Sequence, residues 1–150
     1  MARALIVGCD RRGRELGEAL LAEGWAVRGT SRHEEDLAAI EAAGIEAVLA
    51  DPLWPIVIVE LVADVAVLVL LLGEPRAAPE AFLKINGPLL ERLMEYLVDT
   101  PVRGVVYEGT ERGNQIVEAA SRIWHIPVET LGEGDDLGAA VQRVLTDRRT

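Results

Sequence analysis

Short apolar runs alternate with amphipathic segments along the whole sequence, and this alternation constrains the fold more than any other feature. The clearest run is Val65–Leu72, eight apolar residues that stop at Gly73. Continuous apolar runs of this length are typical of strands that are buried on both faces of a parallel sheet. By the same criterion, strands are predicted at 4–8, 25–30, 45–50, 65–72, 103–107 and 127–131.

Helices are predicted between these strands, where apolar residues such as Leu16 and Leu20 recur at helical spacing. Ser31 is predicted to cap the second helix, with Glu34 completing a capping box. The β-branched residues of 53–64 favour a strand by propensity, but the position of this segment between two strands favours a helix, which we predict. The predicted helices are 14–23, the segment from Ser31 to Gly44, 53–64, 80–98 with a break suggested by Gly87-Pro88, 112–124, and 135–147 with Asp135 or Asp136 as its cap.

Six strands with helices between them fit right-handed crossovers, which place helices on both faces of one open sheet. The expected strand order of this doubly wound parallel sheet is 3-2-1-4-5-6. The sequence contains no Ser/Gly linker, repeat or low-complexity tract. We therefore predict an α/β fold in which residues 1–150 form a single domain.

The composition excludes several classes of function. The chain has 25 acidic and 15 basic residues and a formal net charge of −10, which argues against binding of nucleic acid or anionic membranes. One cysteine excludes a disulfide framework, and two histidines far apart in sequence give no metal signature. The longest apolar run is far below the roughly 20 residues needed to span a bilayer, and the first ten residues do not resemble a signal peptide. We therefore expect a cytoplasmic protein without a metal ion.

The charge is unevenly distributed along the chain. Residues 1–32 contain six arginines and four acidic residues, so this segment carries +2 and the remainder carries −12. A positive segment on an acidic chain suggests a small anionic ligand rather than a polyanion.

The first predicted strand leads into GCDRRG at 8–13 and then into a helix. This is the position of the dinucleotide fingerprint G-x-G-x-x-G, in which Gly8 and Gly13 match the first and third glycines and Asp10 replaces the second. The second glycine normally lets the backbone approach the pyrophosphate at the helix N-terminus. An aspartate there adds bulk and negative charge, so an Asp10 side chain lying over the helix N-terminus would argue against a dinucleotide. The alternative is a structural turn whose glycines serve only packing.

Basic residues next to this loop are candidates for contacts with phosphate. Arg11 and Arg12 could offset the charge of Asp10, although not its bulk. At the end of the second strand no carboxylate occurs before Glu34, whereas NAD-binding proteins usually have an acidic residue there. Arg32, helped by Thr30 or Ser31, could instead hold a 2′-phosphate, so we expect NADP rather than NAD. A solvated surface arginine is the alternative for Arg32.

Together these segments resemble the short-chain dehydrogenase/reductase superfamily, close to its NAD-dependent epimerase/dehydratase type. The resemblance implies a three-layer Rossmann-like fold, an NAD(P) cofactor, and a homodimer formed through the helices at 80–98 and 112–124. It also implies a contact between Asp51 and the adenine, for which an ordinary Asp-Pro turn is the alternative, and contacts at Leu72 and Gly73. The segments that carry it are ALIVGCDRRG, GTSR, VLAD, LVLLLG, INGPLLERL and RGVVYEGT.

The catalytic pair of that family, a tyrosine followed four residues later by a lysine, is absent. Tyr96 is followed at this spacing by Thr100, and Tyr107 by Glu111. Lys84, the only lysine, precedes both tyrosines. We therefore assign no catalytic residue and expect a sensor, a scaffold or a very reduced reductase.

Two other functions compete with dinucleotide binding. Residues 105–129 resemble the strand, glycine loop and helix of the lysine-decarboxylase-like nucleoside-phosphate hydrolases, which implies a phosphate at Gly109, Arg112 and Gly113. Thr110 is predicted to cap the helix of that segment. The third hypothesis is a degenerate Rossmann domain that binds no nucleotide and acts only through its oligomer interface.

Overall fold

The fold is built on one sheet of six parallel strands in the order β3-β2-β1-β4-β5-β6, as the sequence predicted. The computed structural model describes residues 2–73 and 78–146. Each strand lies within one or two residues of its predicted position. The strands are β1 (Arg3–Val7), β2 (Ala26–Ser31), β3 (Glu46–Leu49), β4 (Val67–Leu71), β5 (Gly104–Glu108) and β6 (Val128–Leu131).

Helices cover both faces of the sheet, so that the described part of the chain forms three layers. One face packs against α1, α2 and α7, and the other packs against α3, α4, α5 and α6. The helices are α1 (Arg11–Ala22), α2 (Leu37–Ala42), α3 (Pro55–Glu60), α4 (Pro79–Ile85), α5 (Pro88–Tyr96), α6 (Glu111–Trp124) and α7 (Leu137–Thr146). None of these helices is long and apolar enough to cross a membrane.

The strand order reverses between β1 and β4, which lie side by side at the centre of the sheet. Both central strands are almost completely buried, which explains why they form continuous apolar runs in the sequence. In open α/β sheets, ligands bind at the carboxyl ends of the strands beside this point of reversal. The fold therefore directs attention to the loops that follow β1 and β4.

The predicted capping box at Ser31 and Glu34 is wrong. Ser31 is the last residue of β2, because its backbone still pairs with Leu49 of β3. Its Oγ accepts a hydrogen bond from the amide of His33 at 3.0 Å and donates one to Asp36 at 3.0 Å. A short 3₁₀ turn then precedes α2. Pairing within the sheet therefore overrides the local capping preference of this serine.

The helix predicted at 53–64 is confirmed but shorter, since α3 begins at Pro55 and ends at Glu60. A crossover between parallel strands needs this helix, and that requirement overrides the strand propensity of its β-branched residues. The suggested break at Gly87-Pro88 is also confirmed, because α4 and α5 are separate helices. A side chain at Gly87 would place its Cβ 2.7 Å from the carbonyl oxygen of Leu83.

The termini of α1 and α7 are set by aspartates. α1 begins at Arg11, three residues earlier than predicted, because Asp10 caps it. At α7, Asp136 accepts a hydrogen bond from the amide of Ala139 at 3.1 Å and is therefore the cap. The predicted end of this last helix, Asp147, lies outside the described residues.

Candidate functional site

A cleft with a cavity volume of about 60 Å³ lies at the carboxyl ends of β1 to β4, beside the point of strand reversal. Its lining comes from the loops after β1, β2 and β3, from the end of β4, and from α4. The described residues that line it are Gly8, Cys9, Asp10, Ser31, Arg32, His33, Asp36, Ala50, Pro52, Leu71, Leu72, Phe82 and Ile85. Five of the eleven predicted cofactor-binding residues are among them: Gly8, Asp10, Ser31, Arg32 and Leu72.

Gly8 brings the loop after β1 into close contact with the end of β4. Its φ is +77°, a conformation that favours glycine, and a Cβ there would overlap the carbonyl oxygen of Leu71. Thr30, which is completely buried beneath the loop, accepts hydrogen bonds from the amides of Gly8 (Oγ1, 3.3 Å) and Cys9 (carbonyl oxygen, 2.7 Å). Thr30 thus supports the floor of the cleft and does not line it.

Asp10 lies over the N-terminus of α1, the place where the fingerprint would put a pyrophosphate. Its Oδ1 accepts a hydrogen bond from the amide of Gly13 at 2.9 Å. Gly13 itself is closely packed, since a Cβ there would lie 3.1 Å from Cγ2 of Ile6 and 3.3 Å from Sγ of Cys9. The third glycine therefore serves packing between helix and strand, while the carboxylate of Asp10 occupies one of the anion-binding amides. This is the arrangement that argues against a pyrophosphate at the N-terminus of α1.

Cys9 is only 3% exposed at the base of this loop. Burial, reinforced by the carboxylate of Asp10 and opposed by Arg14, raises the pKa of its thiol to about 12. A thiol with this pKa stays protonated at neutral pH and is not a nucleophile. Cys9 is therefore a packing residue.

One end of the cleft is polar and contains unpaired nitrogen atoms. Nε of Arg32 and Nε2 of His33 are buried, and neither has a hydrogen-bond partner within the described part of the chain. Asp36 also borders this end and accepts the hydrogen bond from Ser31. Asp36 is not recognisable as a site residue from the sequence, because it does not directly follow β2; the 3₁₀ turn returns it to the cleft.

The remaining wall of the cleft is apolar, and α4 contributes to it through Phe82 and Ile85. Asp51, predicted beside an adenine, is turned away into an Asp-Pro turn, where its Oδ1 accepts from the amide of Leu53 at 2.9 Å. Gly73 follows β4, is exposed and does not line the cleft. The cleft thus has a polar end and an apolar end. A nucleotide has the same division, since its nucleobase is flat and largely apolar and its ribose and phosphate are polar.

The positive charge of residues 1–32 is mostly neutralised by carboxylates. Arg3 and Arg28 both pair with Asp64, which precedes β4 and lies at the end of the sheet opposite the cleft. Arg28 also pairs with Glu46. Arg11 is exposed and lies 3.9 Å from a carboxylate oxygen of Glu15 one turn later. Arg32, in contrast, makes no ion pair with any described residue, so the positive charge that faces the cleft is local.

Arg12 points away from the cleft towards β5. Its Nη1 donates to both carboxylate oxygens of Glu108, at 2.8 and 2.6 Å, and its Nη2 donates to the carbonyl oxygen of Asp135 at 2.9 Å. We call these three residues the Arg12 bridge. The hydrogen bonds that Arg12 donates to Glu108 raise the pKa of this guanidinium above its usual value. The phosphate contacts predicted for Arg11 and Arg12 stay predictions, since neither side chain lines the cleft.

The loop between β5 and α6 rests on the buried ring of Tyr107. A Cβ at Gly109 or Gly113 would overlap the phenol group, and the amide of Thr110 donates to the phenol oxygen at 3.0 Å. Thr110 caps α6 as predicted, since its Oγ1 accepts from the amide of Gly113 at 2.9 Å. The two glycines thus make room for a tyrosine ring of the chain itself.

Asn86, at the end of α4, holds Tyr107 in place. Its Oδ1 accepts a hydrogen bond from the phenol at 2.5 Å, and its Nδ2 donates to the carbonyl oxygens of Leu72 and Phe82, each at 3.0 Å. Burial raises the pKa of the Tyr107 phenol. Tyr96 is exposed and Lys84 pairs with Glu80 on the surface, so neither tyrosine has a lysine beside it among the described residues.

No protein-family model and no curated protein matches the sequence. Solved structures, however, share the fold. UDP-glucuronic acid 4-epimerase from Bacillus cereus, in complex with NAD, is 15% identical and aligns over 87% of this chain and 56% of that chain with a TM-score of 0.70. A short-chain dehydrogenase/reductase superfamily protein from Agrobacterium tumefaciens with bound NAD is 17% identical over 87% of this chain and 48% of that chain, also with a TM-score of 0.70.

A functionally unknown conserved protein from Silicibacter pomeroyi is 22% identical over 87% of this chain and 51% of that chain, with a TM-score of 0.58. The chain spans about half the length of the structures that it matches. One of these proteins is a UDP-glucuronic acid 4-epimerase, and another belongs to the short-chain dehydrogenase/reductase superfamily. The chain therefore has the Rossmann-like fold of these proteins, in agreement with the resemblance found in its sequence.

Proposed function

We propose that the chain binds a nicotinamide dinucleotide in the cleft, NADP(H) in preference to NAD(H), and does not carry out a conventional reductase reaction. The observation that carries this proposal is the buried Nε of Arg32, which has no hydrogen-bond partner among the described residues and lies at the polar end of a cleft whose other end is apolar. A guanidinium is well suited to a 2′-phosphate because it offers several charged donors in a fixed plane.

The proposed arrangement follows from the lining of the cleft. The adenine lies against the apolar wall near Leu72 and Phe82, and the ribose lies near Ser31. Arg32 binds the 2′-phosphate, and the linking phosphates stay clear of the N-terminus of α1, because the carboxylate of Asp10 caps it. The proposal assigns no catalytic residue because neither tyrosine has a lysine four residues later.

The test is a titration of the purified protein with NADPH and NADH, followed by calorimetry. Arg32→Ala is expected to weaken NADPH binding about 10- to 100-fold, the loss expected for one charged hydrogen-bonding group, and to leave NADH binding unchanged. Arg122→Ala, which removes an exposed arginine from α6, is the matched control and keeps both affinities. Equal NADPH affinity in the wild type and Arg32→Ala would contradict the assignment of the 2′-phosphate site.

NAD(H) is the second candidate ligand, because Asp36 borders the same end of the cleft. A carboxylate at this position is typical of proteins that bind the ribose hydroxyls of NAD. Asp36→Asn distinguishes the two ligands: it lowers NADH affinity if NAD is the ligand, and it leaves NADPH affinity unchanged or improves it if NADP is the ligand.

The hydrolase-like alternative at Gly109–Gly113 receives less support, because Tyr107 and Thr110 account for both glycines. Binding of AMP that is lost in Arg112→Ala but kept in Arg32→Ala would favour this alternative. Absence of binding by NADPH, NADH and AMP would favour the degenerate domain that binds no nucleotide.

We also propose that the protein is a cytoplasmic homodimer formed through α5 and α6. Ile123 is 62% exposed and Trp124 42% exposed on α6, beside a groove between the two helices. Exposed apolar side chains that lie together are typical of interfaces. Ile123→Glu is expected to give a monomer in sedimentation equilibrium, whereas Leu49→Glu, at the edge strand β3, leaves the dimer intact.

A further inference from the structure

The cleft covers only one of the two nucleotide positions that a doubly wound sheet offers. In such a sheet a dinucleotide lies across the point of strand reversal, with one mononucleotide over each half. The cleft is lined from the side of β1, β2, β3 and β4. None of the described residues of β5, β6, α6 or α7 lines it.

The Arg12 bridge lies at the carboxyl end of the sheet, over its second half, which consists of β4, β5 and β6. Glu108 is the last residue of β5, Asp135 precedes α7, and Arg12 belongs to the first turn of α1. The side chains of Arg12 and Glu108 are only 28% and 16% exposed. A second mononucleotide at this position has to displace a partly buried ion pair in which one guanidinium nitrogen bonds both carboxylate oxygens, which is costly.

The ring of Tyr107 lies near the same end of the sheet, on the face opposite α1 and the Arg12 bridge. Its side chain is completely buried, and its oxygen bonds both Asn86 and the amide of Thr110. With the Arg12 bridge on one side and this ring on the other, the second half is filled by the chain itself.

The junction between the two halves is also occupied. The carboxylate of Asp10 binds the amide of Gly13 at the N-terminus of α1 and leaves a negative charge where the linking phosphates would lie. Anions are attracted to a free helix N-terminus, but here that end already has an anionic cap. Of the three buried polar atoms without a hydrogen-bond partner among the described residues, two belong to Arg32 and His33, which line the cleft, and the third is Oδ1 of Asn114 in α6.

We infer that the chain holds only the adenosine half of its ligand, including the 2′-phosphate, and leaves the nicotinamide half unbound. This inference rests on the proposed function. The redox change of NADP(H) is confined to the nicotinamide ring, so a protein that binds only the other half has equal affinity for NADP⁺ and NADPH. Such a protein responds to their combined concentration and not to their ratio.

Calorimetric titration of the full chain with adenosine 2′,5′-bisphosphate, NADP⁺ and NADPH tests the inference. The three Kd values are expected to lie within fivefold of one another. A Kd for either dinucleotide that is fivefold or more below that of the bisphosphate, or a fivefold difference between NADP⁺ and NADPH, overturns the inference while the proposed function stands. No binding of any of the three overturns the proposed function, and this inference with it.

Saturation-transfer NMR with NADP⁺ gives an independent readout that needs no variant. Transfer from the protein to the adenine protons is expected to exceed transfer to the nicotinamide protons at least fivefold. Similar transfer to both rings would show that the second half is bound and would overturn the inference. The Arg32→Ala protein is expected to lose the adenine signal, whereas the Arg122→Ala protein keeps it.

Discussion

Two loops of this molecule, 8–13 and 109–113, have the same local design and different surroundings. In each loop a polar side chain caps a helix and accepts from the amide of a glycine three residues later, at 2.9 Å in both cases. The first loop borders an open cleft. The second lies on the ring of Tyr107 and directly follows Glu108 of the Arg12 bridge.

This difference teaches that a glycine-containing strand–helix loop does not by itself define a phosphate site. The close approach that glycine permits is used at Gly8 for a turn against β4 and at Gly113 for a tyrosine ring. Buried polar atoms that lack a partner and line a cleft indicate where a ligand is expected. Within the described chain, Arg32 and His33 supply two such atoms in the cleft, whereas the third unpaired atom, Oδ1 of Asn114 in α6, does not line it. Changes in the second half should therefore reduce stability, and changes in the first half should reduce ligand binding.

The largest effect is expected for Gly113→Ala, which lowers the free energy of unfolding by about 3 kcal/mol or more, because the new Cβ overlaps Tyr107. Gly138→Ala in α7 is the matched control. Its Cβ meets only Asp136 at 3.4 Å, so the higher helix propensity of alanine should leave stability unchanged or raise it by up to about 1 kcal/mol. Urea denaturation measures both. Equal stability of the two variants would mean that the ring does not support the second loop.

Removing the carboxylate of the Arg12 bridge in Glu108→Ala is expected to cost about 2 kcal/mol, because a partly buried guanidinium loses its ion pair. Glu111→Ala, an exposed acidic residue at the start of α6, should change stability by less than about 0.5 kcal/mol. Denaturation in urea with and without 0.5 M salt measures the difference. A loss that disappears in salt would show that the pair is solvated and does not close the second half.

The pH dependence of stability at alkaline pH also distinguishes the two halves, because each contains a buried group that titrates there. These groups are Cys9 in the first half and Tyr107 in the second. Burial raises the pKa of Cys9 from 9.0 to about 12, so its contribution to stability is complete below pH 9 and is lost as the pH rises towards 12. This loss should amount to about 1 kcal/mol between pH 8 and pH 10, and Cys9→Ala should abolish it. Tyr107→Phe should alter the pH dependence only above about pH 10, since the Tyr107 pKa is raised from 10.0.

These free energies come from denaturation curves at each pH. If the wild type and Cys9→Ala lose stability in parallel between pH 8 and pH 10, the thiol is not buried as described.

The smallest effect on stability is expected at Arg32. Arg32→Ala should change the free energy of unfolding by less than about 0.5 kcal/mol, because it breaks no ion pair with a described residue, while it abolishes most NADPH binding. A loss of stability like that of Glu108→Ala would instead show that Arg32 stabilises the fold, and the two halves would then no longer differ in this respect.

The sequence predicted the six strands, their order and the break at Gly87, because these features depend on apolar runs, crossovers and backbone conformation that are local in the chain. It could not predict the partner of Arg12, since Glu108 lies 96 residues later and an arginine in a phosphate-loop pattern looks the same whether it is free or paired. The structural role of Tyr107 was not predicted either, although its position before Gly109 and Gly113 fits a large side chain under a loop.

Asn86 joins the two halves through a single side chain. It receives the hydrogen bond of Tyr107, and it donates to Leu72 and Phe82, which line the cleft. The apolar wall of the cleft therefore cannot separate from β4 without also releasing the ring below the second loop. Local opening of the cleft and of β5 then forms one cooperative event, so a ligand that touches no residue of β5 slows hydrogen exchange there as well.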